Sequence, residues 1–175
     1  SGKDKLPTEA ALLAMTQKGF AQQVTKNAEE NIASSLLAKK PKAGKVISTN
    51  EEKDLGATTY TLSNGVKVTV KSTDFKSDEI ILKGVKNGGS YNYGVKDVNN
   101  VKYATAVADA MGYGQFNPTQ IEKVLAGKNI RANVGVGDIR NTISASSTVK
   151  DVEDMLQLLY LKLTNPRIDK ELYGA

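Results

Sequence analysis

Between Thr58 and Val70 the chain reads TTYTLSNGVKVTV, two runs rich in β-branched residues joined by Asn64-Gly65. This pattern predicts a β-hairpin closed by a type I′ turn, because Asn-Gly tolerates the positive φ angles such a turn needs. Val66, Val68 and Val70 then share one face and Lys67, Thr69 and Lys71 the other, so one face is expected to be buried and one wet. A second strand is expected over Glu79 to Lys86, where consecutive Ile80, Ile81 and Leu82 predict burial on both faces, and it ends at Asn87-Gly88-Gly89-Ser90. The period then changes to 3.6. Val98, Val101, Ala104, Val107, Ala108 and Met111 form one broad helical face that Gly112 stops. Asn117-Pro118 opens another helix, carrying Ile121, Val124 and Leu125 as far as Gly127. Alternation returns in Ile130 to Val136 and in Ile139 to Ser147, a second hairpin about Gly137-Asp138. Thr148 with Asp151 suggests a capping box, ahead of a helix whose stripe is Val149, Val152, Leu156, Leu159 and Leu163 and whose stop is Asn165-Pro166.

The ends are less regular. Pro7-Thr8-Glu9 starts a helix expected to reach about Val24, and Ala28 to Ala38 carries Ile32, Leu36 and Leu37 at helical spacing. Lys39 to Gly56 has mixed charge, Pro and Gly and reads as a linker. The expected organisation is therefore a helical lead-in plus linker over 1–56 and a domain over 57–175. Ile168 to Leu172 begins one more amphipathic turn where the sequence stops, so a longer protein is expected. The opening Ser-Gly, without methionine, is the pattern that tag removal leaves, and any targeting signal is expected to lie elsewhere.

Composition narrows the chemistry. The chain has no cysteine and no histidine, which removes disulfides, thiolate nucleophiles, the usual general base near neutral pH and the commonest zinc ligand. Any metal site would have to be built from carboxylates. The paired acids Glu29-Glu30, Glu51-Glu52 and Asp78-Glu79 are poor candidates, since adjacent residues point to different sides of a helix or strand. No apolar run approaches the roughly 18 residues of a membrane span. The net charge of +5 owes much to Lys39, Lys40, Lys42 and Lys45, beside Pro41 and Gly44, a composition that suits a solvated linker better than a phosphate grip. A nucleic-acid module using these lysines with Lys67, Lys71 and Arg131 is the weakest reading, because no aromatic pattern for base stacking accompanies them, and no nucleic-acid partner is expected.

The order of hairpin, strand, Gly-Gly-Ser turn, two helices, hairpin and helix resembles one domain of the pitrilysin or insulinase family of zinc metallopeptidases. The wording is similar too, in TYTLSNGVKVTVKSTDFKSDEIIL, GGS, LAGKNI and LLYLKLTNPRID, which resemble the third domain of the long bacterial two-half members. The helical lead-in and KPKAGK resemble the end of the preceding domain and its linker. The resemblance implies an α+β fold, an antiparallel sheet covered by helices, here a single metallopeptidase-like domain truncated at its C-terminus behind a helical lead-in.

In the catalytic copy of that family the first domain helix carries His-x-x-Glu-His, two zinc ligands around a glutamate base, with a further glutamate ligand downstream. By position the helix Val98 to Met111 corresponds to it, and Thr105, Ala108 and Asp109 stand where His, Glu and His would. None of the three can do those jobs, so no catalytic or metal-binding residue is expected in this chain. The resemblance implies that zinc sits in the catalytic half of a parent peptidase, that this chain is no enzyme by itself, and that its partners are that half and an unfolded peptide. Gly88, Gly89 and Ser90 are the candidate substrate contacts, since glycine leaves room for a peptide backbone. A scaffold subunit of the same fold, without peptidase activity, is the alternative. The resemblance further implies a bacterial periplasmic or envelope location.

Overall fold

The computed structural model describes residues 7–22, 33 and 35–173. The chain divides into two units, Ser1–Asn31 and Ile32–Ala175. The first contains helix α1 (Glu9–Ala21), whose N-cap Thr8 accepts a hydrogen bond from the Ala11 N–H, as the sequence predicts. The helix ends three residues earlier than expected, and its Leu12, Leu13, Met15 and Phe20 are exposed. Most of the helical piece expected over 28–38 lies outside the described residues; residues 35–38 are bends and coil, not helix.

The second unit is α+β. Strands β1 (Val46–Glu52), β2 (Ala57–Leu62) and β3 (Lys67–Val70) form one antiparallel sheet in that order. Strand β4 (Ile80–Asn87) leads to helix α2 (Val98–Met111) and helix α3 (Pro118–Val124), followed by β5 (Ile130–Val136) and β6 (Arg140–Ser147). These three strands form a second antiparallel sheet in the order β4-β6-β5. Helix α4 (Val152–Thr164) and the one-turn α5 (Lys170–Tyr173) complete it.

The first hairpin is present with a different turn. Gly65 has φ 84°, no non-glycine residue among the described residues has positive φ, and the Gly65 N–H bonds to the Leu62 carbonyl while the Leu62 N–H bonds to that of Val66. This is a three-residue loop ending in a left-handed glycine, in place of type I′. Asn64 stays at negative φ because its Oδ1 accepts from the Val66 N–H, closing the loop locally. Strand β1 lies inside the segment expected to be a linker: VISTNEE alternates too weakly to be seen alone, yet it pairs with β2 along its length.

Burial follows the cover available. Tyr60 and Val68 share a row, as do Thr58 and Val70, so the expected apolar face exists. No residue of the first sheet is buried, however, and Val66, Val68 and Val70 remain 48%, 40% and 53% exposed. Alternation sets which way side chains point, but only a second layer can bury them. Strand β4 likewise buries one face, not two, with Ile81 and Val85 exposed and Ile80 and Leu82 turned toward the core.

The core lies between the β4-β6-β5 sheet and α4. Leu82, Ala145 and Ala132 form one row across the three strands, and the two alanines belong to the cluster that holds Met155, which has no exposed surface. Leu158, Leu159 and Leu161 complete the buried face of α4, whereas Leu156 and Leu163, expected in the stripe, are about half exposed, as is Val149. Nearly every position of LQLLYLKL is apolar, so periodicity alone does not choose the face. Leu36 joins the same core, held by Gln157, whose Oε1 accepts from the Leu37 N–H and the Ser35 hydroxyl.

Asn117 and Gln120 form the reciprocal capping box of α3. At α4 the box takes another form. Asp151 accepts the Thr148 hydroxyl at 2.6 Å and the Asn129 N–H at 2.9 Å, and makes no cap to its own helix. The Thr148 hydroxyl, then the Asn129 N–H, holds the Asp151 carboxyl below its usual range.

Two outcomes follow from this core. Met155→Ala should lower unfolding free energy by about 2–5 kcal/mol in denaturant titration with the fold retained. Because the folded-state pKa of Asp151 is depressed, its stabilisation is complete above the unfolded value of about 4 and disappears as pH falls through the folded value. Asp151→Asn should therefore be less stable than wild type at neutral pH, with the gap closing in acid unfolding curves as pH falls below the ordinary aspartate value of about 4.

Candidate functional site

Helix α2 is where the sequence places degenerate zinc-motif positions, and the structure gives each a different environment. Thr105 is half-buried. Ala108 lines an apolar cavity of about 580 Å³ with Val107 and Met111 from its own helix and Pro166, Ile168 and Tyr173 from the C-terminal segment. Asp109 faces α4. Its Oδ1 accepts the Tyr113 hydroxyl at 2.7 Å and is ion-paired with the Lys162 ammonium. The Lys162 Nζ also lies 4.6 Å from the centre of the Tyr113 ring.

This cluster is structural in character. The side chain of Lys162 is only 10% exposed, so its charge requires Asp109 close by. Burial, and next the hydrogen bond to Asp109, push the Tyr113 hydroxyl well above the ordinary tyrosine range, which keeps it a neutral donor. Tyr113 is itself fixed by mutual backbone hydrogen bonds with Phe116. Sequence reasoning named Asp109 but missed Tyr113 and Lys162. Tyr113 is four residues on from Asp109, a visible helical spacing, whereas Lys162 is 53 residues away and became a neighbour only through packing.

These residues do not fit zinc. One motif position offers a methyl group to an apolar wall, and the carboxylate at another is engaged by an ammonium and a phenol. Among the described residues no group of three or more His, Cys, Asp or Glu comes together.

The glycine turn is positioned by the second hairpin. The Gly88 N–H bonds to the Ile139 carbonyl, the Ser90 N–H to that of Gly137, and the Tyr91 N–H to that of Asp138. Gly89 is buried at φ 94°, and a Cβ there would lie 2.4 Å from the Asp138 carbonyl oxygen. The observed close approach at Gly89 is thus to the chain's own backbone. Ser90 is half-buried, with its hydroxyl 3.4 Å from Asp138 Oδ1.

Asp109→Ala should cost about 1–3 kcal/mol in thermal or denaturant unfolding, since it strands the Lys162 ammonium. The double variant Asp109→Ala/Lys162→Met should recover most of that loss, and full additivity of the two changes would exclude the coupling.

With this geometry established, comparison with known proteins gives a consistent picture. No family model matches the chain. Over 98 residues it is 32% identical to a zinc protease PQQL-like of Arabidopsis thaliana, covering 56% of this chain and 10% of that protein. Over 109 residues it is 25% identical to a probable zinc protease PqqL of Haemophilus influenzae, covering 62% and 12% respectively. The chain thus spans about a tenth of the curated relatives it matches. Its fold is that of a segment of the periplasmic protease PqqL from Escherichia coli, with a TM-score of 0.74 at 17% identity over 96% of this chain and 18% of that one. The ferredoxin protease FusC, solved as a mutant in complex with Arabidopsis ferredoxin, gives a TM-score of 0.71 at 15% identity over 97% and 19%. In sequence this α+β chain is thus similar to short segments of proteins named zinc protease PqqL, and in fold to a segment of the periplasmic protease PqqL.

Proposed function

We propose that this chain is a non-catalytic portion of a zinc metalloendopeptidase, providing chamber wall, peptide contacts and interdomain surface while another half of the same polypeptide holds zinc and cuts the peptide bond. The observation that carries this reading is the state of α2: Ala108 lines an apolar wall, and Asp109 is committed to Lys162 and Tyr113. The helix has kept a structural role at the place where a catalytic copy would bind metal. Apolar side chains left uncovered on the first sheet, among them Val66, Val68 and Val70, suit contact with further segments of a longer chain.

Within this reading, the preceding domain and its linker end before strand β1, and the degenerate peptidase domain takes in β1 together with residues 57–175. The turn Gly88-Gly89-Ser90 is the proposed chamber-facing contact, with Ser90 the side chain able to reach a peptide. A periplasmic setting is proposed from the PqqL neighbour, described as periplasmic. In the described residues no helix is long and apolar enough to cross a membrane.

The test is peptide cleavage by the longer parent protein with and without a zinc chelator, beside this chain alone. Chelator-sensitive cleavage by the parent together with no cleavage by the chain is the expected result. A folded, zinc-loaded parent without activity would assign the chain to a scaffold subunit, and cleavage by the isolated chain would overturn the proposal.

A further inference from the structure

Toward the N-terminal end of α2 lies a second cavity of about 410 Å³, different in chemistry from the apolar one. Its walls include Val101 and Ala104 of α2 and Val136 at the end of β5, and its polar groups are Tyr93, Asp97, Asn100 and Asn141. Two of these have hydrogen-bonding capacity that the fold does not use. Asp97 occupies the N-cap position of α2, where an aspartate normally accepts a helix N–H, yet it makes no capping bond. Among the described residues its carboxylate accepts one hydrogen bond, a long one of 3.5 Å from Asn100, and forms no ion pair. Asn141, on the facing strand β6, has a buried Oδ1 without a donor among the described residues.

An exposed carboxylate, an aromatic ring and a short apolar wall form an acceptor site with a greasy approach, with the Asn141 side chain at its edge. The complementary ligand has an aliphatic stem and a cationic, hydrogen-bond-donating head. We infer that this cavity is a subsite for a lysine or arginine side chain of an extended peptide, with Asp97 taking the charge and Val101, Ala104 and Val136 taking the methylenes. The inference rests on the reading of this chain as a peptide-contacting wall. It makes that wall selective: a chain of net charge +5 would otherwise repel basic segments.

The test uses the 175-residue protein and Nα-acetyl-lysine N-methylamide, followed through the side-chain amide resonances of Asn100 and Asn141. Saturable shifts are expected, absent with the blocked norleucine analogue and weakened roughly tenfold by Asp97→Asn. Ala104→Leu, which keeps the carboxylate but narrows the cavity, should weaken binding comparably. Shifts that are absent, that norleucine reproduces, or that survive Asp97→Asn would overturn the subsite, and equally tight binding of cadaverine would overturn its assignment to a peptide. None of these readouts requires peptidase activity, so failure here is distinct from failure of the chelator test on the parent.

Discussion

The packing of α4 on the β5–β6 half of the second sheet is the constraint on which the described fold depends. Ala132 and Ala145 are small, so the helix can come close and Met155 can fill the space between the layers completely. From that contact the rest is positioned in turn. Gln157 on the same helix draws in Ser35 and Leu37, bringing Leu36 into the core, and Lys162 at its far end ties down Asp109 of α2. Among the described residues the first sheet has no comparable second layer, and Val68 and Val70 stay exposed.

The Asp109 cluster shows a carboxylate committed to holding the fold together. A zinc helix needs its ligands free of competing partners, whereas here the carboxylate compensates a cation that is nearly buried. Restoring a metal would require more than replacing Thr105 and Ala108 by ligands, because releasing Asp109 strands the Lys162 ammonium and removes the acceptor of a buried phenol.

Much of this fold is legible in local signals. Asn64-Gly65 marks the hairpin, Asn117 with Gln120 the capping of α3, and the return of alternation at Ile130 the second hairpin. What is not legible is non-local. Strand β1 has little apolar alternation and exists through its pairing with β2. The face of α4 is undecided by a sequence that is apolar almost all round, and Met155 is chosen by the alanines opposite it. The candidate site divides the same way: the vacancy of the zinc motif is visible in Thr105, Ala108 and Asp109, but the partners of Asp109 are not.

Helix α2 meets two different surroundings along the length of one face. Toward α5 it presents Val107, Ala108 and Met111, an apolar wall, while near its N-terminus Asp97 and Asn100 keep polar groups that the helix itself does not need. Ala104 borders both cavities, so a single small side chain keeps the two open. Peptide recognition by such a surface depends on cavity shape and on one carboxylate, neither of which requires a bound ion. Recognition and bond cleavage make separate demands on a helix, so a selective surface of this kind needs no catalytic group.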